Sequence, residues 1–196
     1  MNFIFISPQF PRVYWNFCDR LKKKGVNVLG IGDTPYEALA DEVRESLTEY
    51  YFVPSLGDYD QMLRAVAFFT FKYGRIDWLE SNNEFWLESD ARLRTDFNIR
   101  TGWQFGDMDH IKNKSAMKPF YKKAGIPTAR LRPVTTLADA EAFLAEVGYP
   151  VIVKPDTGVG ATDTYRIDSH DELCHFYASK PEVPYVMEEF VTGDIC

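Results

Sequence analysis

Cysteine and histidine are scarce in this sequence, and neither residue type forms a recognisable site. The three cysteines are widely spaced and include no C-x-x-C pair; they are Cys18, Cys174 and Cys196. An odd number at this spacing predicts neither a disulfide framework nor a zinc site. His110, His170 and His175 form no ligand set with them. We therefore expect three free thiols and a reducing, cytoplasmic location.

Long hydrophobic runs and phosphate-binding glycine motifs are also absent. No apolar run reaches the roughly 18 residues that span a bilayer, so no membrane partner is predicted. Met1–Ser7 is a short apolar run without preceding basic residues, which is typical of a buried strand and not of a signal peptide. The sequence contains neither G-x-x-x-x-G-K-[ST] nor G-x-G-x-x-G. The loop Ser7–Pro11 has no glycine, which argues against a dinucleotide.

Charge is present but unevenly distributed. The net charge is −7, which argues against a nucleic acid partner. One segment has seven basic residues and no acid; they are Lys112, Lys114, Lys118, Lys122, Lys123, Arg130 and Arg132. Subtracting these seven positive charges leaves −14 for the rest of the chain. Such a segment indicates either a site for an anion such as phosphate or a solvated helix face.

The first half of the chain alternates strand-like and helix-like segments. The predicted strands are Asn2–Ser7, Asn27–Ile31, Tyr50–Val53 and Asp77–Glu80. The predicted helices are Arg12–Lys24, Tyr36–Leu47, Tyr59–Tyr73 and Phe85–Phe97. This alternation predicts a Rossmann-like α/β domain, in which helices cover both faces of a parallel sheet.

The second half has a different order of segments. A helix is predicted over Asp107–Ala124, with a kink or restart at Pro119. The remaining predicted segments are extended Thr128–Pro133, helix Leu137–Val147, strand Val151–Lys154, strand Thr164–Ile167, a helix capped by Ser169 and running through Ala178, and strand Tyr185–Val191. These segments predict a smaller α+β lobe.

The most informative local pattern is a buried strand that ends in a lysine and a glycine-containing loop. Val151–Lys154 is followed at once by the loop Asp156–Thr162, with Gly158 and Gly160 inside it. A lysine provides a compact cation for phosphate oxygens, and glycines let backbone N–H groups approach closely. By itself the pattern fits either a polyphosphate site or a plain β-hairpin.

Three blocks in this order resemble the ATP-grasp superfamily, close to biotin carboxylase and the large subunit of carbamoyl-phosphate synthetase. The first is Lys114, with Gly125-Ile126-Pro127-Thr128 eleven residues later. The second is the strand, lysine and glycine loop. The third is the segment 185–194, Y-V-M-E-E-F-V-T-G-D, which is similar to the family's adenine-binding hinge. The resemblance implies a Rossmann-like pre-ATP-grasp domain over residues 1–105. Residues 106–196 would form the small ATP-grasp lobe and the start of the large one.

The resemblance assigns nucleotide contacts residue by residue. Lys114 and Lys154 would contact the phosphates, and a flexible lid of Gly158, Val159, Gly160 and Ala161 would cover them. In the hinge Glu188, Glu189, Phe190 and Val191, the carbonyl of Glu188 or Glu189 would accept from the adenine amino group. The Val191 N–H would donate to a ring nitrogen. Taken without the other blocks, Met187–Val191 fits an ordinary core strand equally well.

The sequence departs from the family at two places. The family often holds the ribose with a carboxylate two residues after the hinge glycine, but here that position is Ile195 and Asp194 lies one residue earlier. Asp194 is therefore the candidate ribose contact. The family's Mg²⁺ ligands lie further along than Cys196, so no catalytic or metal-binding residue is predicted. The chain alone is expected to be inactive.

The resemblance implies a parent enzyme that uses MgATP to phosphorylate a carboxylate. The acyl phosphate would then be attacked by an amine or a thiol. Its partners would be an unidentified small-molecule carboxylate and nucleophile, with a homodimer as a possible assembly. Two alternatives stay open at this point: a noncatalytic nucleotide-binding or regulatory module, and a Rossmann protein for NAD or a nucleotide sugar. The glycine-free first loop disfavours the second.

Overall fold

The chain divides into two compact units. The computed structural model describes residues 1–158 and 162–193, and the units are Met1–Gly106 and Asp107–Cys196. Each unit contains a four-stranded sheet. Within the described residues, no helix is long and apolar enough to cross a membrane.

The first unit is a parallel α/β domain, as the alternation predicts. Its strands are β1 (Asn2–Ile6), β2 (Asn27–Gly32), β3 (Glu49–Phe52) and β4 (Trp78–Glu80). Its helices are α1 (Trp15–Lys23), α2 (Asp41–Ser46), α3 (Tyr59–Tyr73) and α4 (Leu87–Asp96). The strand order is β3-β2-β1-β4, and every pairing is parallel. The prediction of a Rossmann-like parallel sheet is confirmed.

Side chains of β1 point alternately into two separate hydrophobic cores, one on each face of the sheet. Ile4 and Ile6 pack with Phe69 of α3 on one face of the sheet. Phe5 points to the opposite face, where it packs with Cys18 of α1. Successive side chains of a strand point to opposite faces of the sheet. Because the run in β1 is apolar at every position, β1 contributes buried side chains to both faces.

The predicted helix Tyr36–Leu47 is wrong in its first half. The chain forms a single 3-10 turn at Tyr36–Ala38, and α2 begins only at Asp41. Leu39 and Ala40 between them have extended backbones, with φ −68° and ψ 143° at Leu39 and φ −62° and ψ 149° at Ala40. The side chain of Leu39 is buried in the core beneath α1 and α2. Burial of this side chain overrides the local helical preference.

The second unit has an antiparallel sheet backed by two helices. Its strands are β5 (Leu131–Pro133), β6 (Val151–Pro155), β7 (Tyr165–Ile167) and β8 (Tyr185–Glu189). Its helices are α5 (Asp109–Lys112), α6 (Lys114–Lys123), α7 (Leu137–Val147) and α8 (His170–Ser179). The strand order is β5-β8-β6-β7. Val151, Val153 and Met187 face a core formed with α7 and α8. The predicted α+β lobe is confirmed.

The predicted restart of the helix at Pro119 is wrong. The helical segment is interrupted instead at Asn113, whose extended backbone (φ −89°, ψ 119°) separates α5 from α6. Pro119 lies inside α6. A proline removes only one helical hydrogen bond, here to the carbonyl of Ser115. The helix therefore continues through Pro119 to Lys123.

Strand β8 ends two residues earlier than predicted, at Glu189. Glu189 pairs with Val151, the first residue of β6. The residue before Val151 is Pro150, which has no N–H to donate. The ladder therefore stops there, and Phe190 and Val191 follow the strand as exposed residues.

Candidate functional site

Strands β6 and β8 place Lys154 and Glu188 on the face of the sheet opposite the core. Ile152 pairs directly with Glu188, and Lys154 lies two residues further along β6. Because side chains two residues apart share a face, Lys154 and Glu188 become diagonal neighbours. The Lys154 ammonium forms an ion pair with the Glu188 carboxylate.

Helix α6 adds a second lysine to Glu188. Lys118 Nζ lies 2.7 Å from Glu188 Oε1 and donates to the carbonyl of Ala129 at 2.8 Å. The side chains of Lys118, Lys154 and Glu188 are only 22%, 23% and 16% exposed. Burial alone would raise the pKa of Glu188, but the two ammonium groups outweigh it and hold this pKa below its usual value. Glu188 therefore bridges two lysines as a carboxylate.

The start of α6 is attached to the end of β6 through Asp156. Ser115 donates its N–H and its hydroxyl to the Asp156 carboxylate at 2.8 and 2.5 Å. The Lys114 N–H donates to the Asp156 carbonyl at 3.0 Å. Lys114 Nζ lies 3.3 Å from that carbonyl and 3.4 Å from the Gly158 carbonyl. These bonds hold Lys114 at the beginning of the glycine loop.

The second hinge glutamate is held by an arginine. The Arg130 N–H donates to Glu189 Oε1 at 2.8 Å, and its guanidinium Nε to Glu189 Oε2 at 2.5 Å. These hydrogen bonds lower the pKa of Glu189. Both hinge carboxylates are therefore engaged within the protein. Beyond them, the Phe190 ring lies under the guanidinium of Arg166, 4.7 Å from ring centre to Cζ.

The cluster carries a net positive charge. Lys114, Lys118 and Lys154 supply three ammonium groups, and Glu188 and Asp156 supply two carboxylates. The excess of one positive charge lies beside a glycine-containing loop, an arrangement that suits an anion. No set of three His, Cys, Asp or Glu side chains in residues 1–158 and 162–193 is placed to hold a metal ion.

The structure brings some of the predicted site residues together. Lys154 meets Glu188, and Lys114 and Gly158 lie at the end of β6. Because β6 and β8 are antiparallel, Glu189, Phe190 and Val191 lie at the other end of this strand pair, beside Val151. The remaining four predicted residues lie outside the described part of the chain; they are Val159, Gly160, Ala161 and Asp194.

Sequence reasoning did not identify Lys118 as a site residue. Lys118 lies four residues after Lys114 on the same helix. Residues at this spacing share one face of a helix, so a second lysine could have been found from its spacing alone. The exposed Lys122 and Lys123 agree with a solvated helix face. The basic segment therefore contains both lysines of the charged cluster and lysines on a solvated helix face.

Comparison with known proteins connects this region to nucleotide binding. Residues 109–184 match the family model described as the ATP-binding domain of the carbamoyl-phosphate synthase L chain. An L-arginine-specific L-amino acid ligase of Bacillus subtilis is 35% identical over 108 residues, which is 55% of this chain and 26% of the ligase. The alanine–anticapsin ligase of B. subtilis strain 168 is 28% identical over 132 residues, 60% of this chain and 28% of that ligase.

Two solved structures share the fold over nearly the whole chain. An L-amino acid ligase from Bacillus licheniformis superposes with a TM-score of 0.67 at 19% identity, covering 98% of this chain and 44% of its own. The biotin carboxylase domain of the 2-oxoglutarate carboxylase from Hydrogenobacter thermophilus, solved as a dimer with MgADP, ADP and bicarbonate, gives a TM-score of 0.74. Its identity is 18%, covering 96% of this chain and 44% of its own.

The chain spans only part of each of these relatives, about a quarter of the curated ligases and under half of the solved structures. Within that part, the three sequence blocks, the family model and the fold agree. Residues 109–184 are therefore similar to the ATP-binding domain of the carbamoyl-phosphate synthase L chain, and the chain shares its fold with the L-amino acid ligase and the biotin carboxylase domain.

Proposed function

We propose that the second unit binds ATP and that the protein is an ATP-dependent ligase acting through an acyl phosphate. The observation that supports this most directly is the Lys118–Glu188–Lys154 bridge beside Lys114. It lies in the region that matches the ATP-binding family model, apart from the last strand. Buried or half-buried lysines held at fixed positions suit the triphosphate of a nucleotide.

In this proposal the lysines orient the phosphates, and Glu188 keeps two of them apart and in place when no nucleotide is bound. Gly158, Val159, Gly160 and Ala161 form the lid. The hinge of Glu188, Glu189, Phe190 and Val191 reads adenine through main-chain groups, which fits the engagement of both carboxylates in ion pairs. Asp194 is the proposed ribose contact.

The proposed reaction joins a carboxylate to an amine. A carboxylate oxygen takes the γ-phosphoryl group of ATP, which gives an acyl phosphate and ADP. The amine nitrogen then attacks the acyl carbon, phosphate leaves with the bonding electrons, and the amine loses a proton. The names of the two B. subtilis relatives point to amino acids as the class of carboxylate and amine. A thiol in place of the amine would follow the same steps.

The biotin carboxylase neighbour was solved with MgADP, and Mg²⁺ remains the expected companion of ATP. The free thiols of Cys18 and Cys174 suit a reducing, cytoplasmic compartment. The same neighbour was solved as a dimer, so we include a homodimer in the proposal.

The proposal is tested by measuring ATP binding with calorimetry on the wild type and three variants. Lys154→Ala and Lys118→Ala should each weaken binding at least tenfold, the size expected for loss of one charge-assisted hydrogen bond. Lys123→Ala, at the exposed end of the same helix as Lys118, should change the dissociation constant by less than about twofold. Equal binding by all four proteins, or no ATP binding by the wild type, would refute the nucleotide site.

A further inference from the structure

A cysteine, a histidine and a glutamate form a chain of contacts on the helical side of the second unit. Cys174 and His170 lie four residues apart on α8, and Glu141 lies on α7. Cys174 Sγ is 3.5 Å from His170 Nδ1, and His170 Nε2 is 2.9 Å from Glu141 Oε1. These helices pack on the core side of the sheet, whereas Lys154 and Glu188 lie on its other face. The three residues are therefore separate from the proposed nucleotide site.

The contact with Glu141 determines which ring nitrogen of His170 can accept a proton. An ionised carboxylate only accepts hydrogen bonds, so Nε2 of the ring carries the hydrogen and donates it to Glu141. The other nitrogen, Nδ1, then has a lone pair that accepts from the Cys174 thiol. Both ring nitrogens are used in this way, which is the arrangement of a nucleophile, a base and an acid that orients the base.

Glu141 also supplies the negative charge that a protonated His170 needs at this position. His170 is the first residue of α8, and the N-terminus of a helix disfavours a positive charge. The Glu141 carboxylate, 2.9 Å from the ring, offsets this effect. Tyr149 is a further titratable group beside the thiol. Burial raises the pKa of Tyr149, and Cys174 and Glu141 raise it further, so its hydroxyl adds no charge near pH 7.

The three side chains are accessible to a small reagent. The side chains of His170 and Glu141 are 58% and 47% exposed, and Cys174 is partly exposed. Cys18, in contrast, is fully buried. Reactive cysteines combine partial exposure with a neighbouring group that favours the thiolate, whereas buried structural cysteines are inert. Cys174 therefore differs from Cys18 both in access and in having a base beside it.

We propose that Cys174 is a site of reversible modification by small-molecule disulfides, with His170 as the base and Glu141 as the residue that positions it. His170 Nδ1 takes the thiol proton, and the Cys174 thiolate attacks one sulfur of the disulfide. A new S–S bond forms. The other sulfur leaves with the electron pair of the old S–S bond and takes the proton from His170. The disulfide is the oxidant, and the products are a mixed disulfide at Cys174 and one small thiol.

Bis(2-hydroxyethyl) disulfide is a suitable probe, because it is uncharged and its reaction depends on the thiol alone. Timed quenching and peptide mass spectrometry on the full chain measure the rate of mixed-disulfide formation at Cys174. At pH 7 only a few per cent of an ordinary thiol is ionised. Transfer of the proton to His170 should therefore make Cys174 react about threefold faster or more in the folded protein than in the urea-unfolded chain. No acceleration in the folded protein would overturn the proposal.

Two variants test the roles of His170 and Glu141 through the pH dependence of this rate. His170→Gln should slow the reaction about tenfold at pH 7. It should leave the rate within about twofold of the wild type at pH 9.5, where a thiol ionises without a base. Glu141→Gln keeps a hydrogen-bond acceptor but removes the charge, and it should slow the reaction about threefold at pH 7.

The matched control is His175→Gln, because His175 is exposed on the same helix as His170. This variant should react like the wild type at both pH values. Lys154→Ala should do so as well, because the reaction needs no nucleotide, and a failure of the ATP site would leave this result unchanged. Equal rates for the wild type and His170→Gln at pH 7, or an equal loss at pH 7 and pH 9.5, would overturn the assignment of His170 as the base.

Discussion

Individual charged residues in both units have environments that set their protonation. In the second unit, Glu188 stays ionised between Lys118 and Lys154. In the first unit, Asp90 is fully buried and accepts from the Ser81 N–H at 3.0 Å and the Ser81 hydroxyl at 2.6 Å. Burial raises the pKa of Asp90 to about 7. Its other oxygen, Oδ1, has no hydrogen-bond partner. The two acids should therefore respond to pH in opposite ways.

Replacing Glu188 should destabilise the second unit. Glu188→Gln leaves two half-buried ammonium groups without a counter-charge, and we expect a loss of about 1–3 kcal/mol in the free energy of unfolding. The loss should be full above pH 4.5, the usual pKa of a glutamate, and should disappear as the pH falls through the lowered pKa of native Glu188, where the native carboxylate becomes protonated. Hydrogen exchange at the buried Val186 and Met187 amides, followed as a function of pH, measures this loss in the free energy of unfolding.

The matched control for this experiment is Glu189→Gln. Glu189 pairs with Arg130, whose side chain is 56% exposed, and exposed pairs contribute roughly 0–1 kcal/mol. An equal loss for both variants would contradict the bridging role of Glu188. Tryptophan fluorescence would not serve here, because all four tryptophans lie in the first unit.

Asp90 gives a pH response of the other sign, and tryptophan fluorescence can follow it. Because the pKa of Asp90 is raised, folding takes up a proton between pH 4 and 7, and the stability of the wild type falls across this range. Asp90→Asn should remove this contribution. Between pH 5 and pH 7.5, the variant should gain on the order of 1–3 kcal/mol over the wild type in urea unfolding. A constant difference would show that Asp90 has an ordinary pKa.

At the scale of elements, the second unit depends on the attachment of α6 to the end of β6. Asp156 accepts two hydrogen bonds from Ser115 and so satisfies one backbone N–H in the first turn of α6. An acid at the N-terminus of a helix supplies an acceptor and a favourable charge. The same bonds hold Lys114 next to the glycine loop.

Asp156→Ala should loosen the first turn of α6. Loss of a capping acid costs about 1–2 kcal/mol, so exchange of the Ser115 amide should accelerate roughly five- to thirtyfold if it proceeds by local opening. Thr157→Ala is the control, because Thr157 is exposed in the same loop. If ATP binds as proposed, Asp156→Ala should also weaken it, whereas Thr157→Ala should not. Unchanged exchange at Ser115 would show that Asp156 does not fix the helix.

At the scale of the whole molecule, the reactivity of the cysteine thiols shows whether the fold is intact. Cys18 and Cys174 are both free. The side chain of Cys18 is fully buried in the core, and burial raises its pKa to about 12. The prediction for Cys196 lies outside the described residues.

A thiol titration under denaturing, nonreducing conditions should find three reactive groups per chain. Under native conditions Cys174 should react with a thiol reagent at least tenfold faster than Cys18, because the Cys18 thiolate is disfavoured and inaccessible. Peptide mapping after timed labelling measures the two rates. Fewer than three thiols in the denatured protein, or equal native rates for the two residues, would contradict this description.

The sequence alone predicted the fold class and most of the elements, because their signals are local. Tyr59–Tyr73 and Leu137–Val147 have the bounds that periodicity and flanking glycines predict. The order of three short blocks indicated the similarity to an ATP-binding domain that the family model matches over residues 109–184. The individual nucleotide contacts remain predictions, and Val159, Gly160, Ala161 and Asp194 lie outside the described residues.

Only the tertiary structure decided which charges meet and where elements break. Lys118 and Glu188 are 70 residues apart, so no local pattern links them, and their pairing arises because α6 lies against the face that carries Glu188. The break before α2 follows from burial of Leu39 in a core formed by distant elements. Local patterns determine elements, whereas long-range packing determines which side chains share a site.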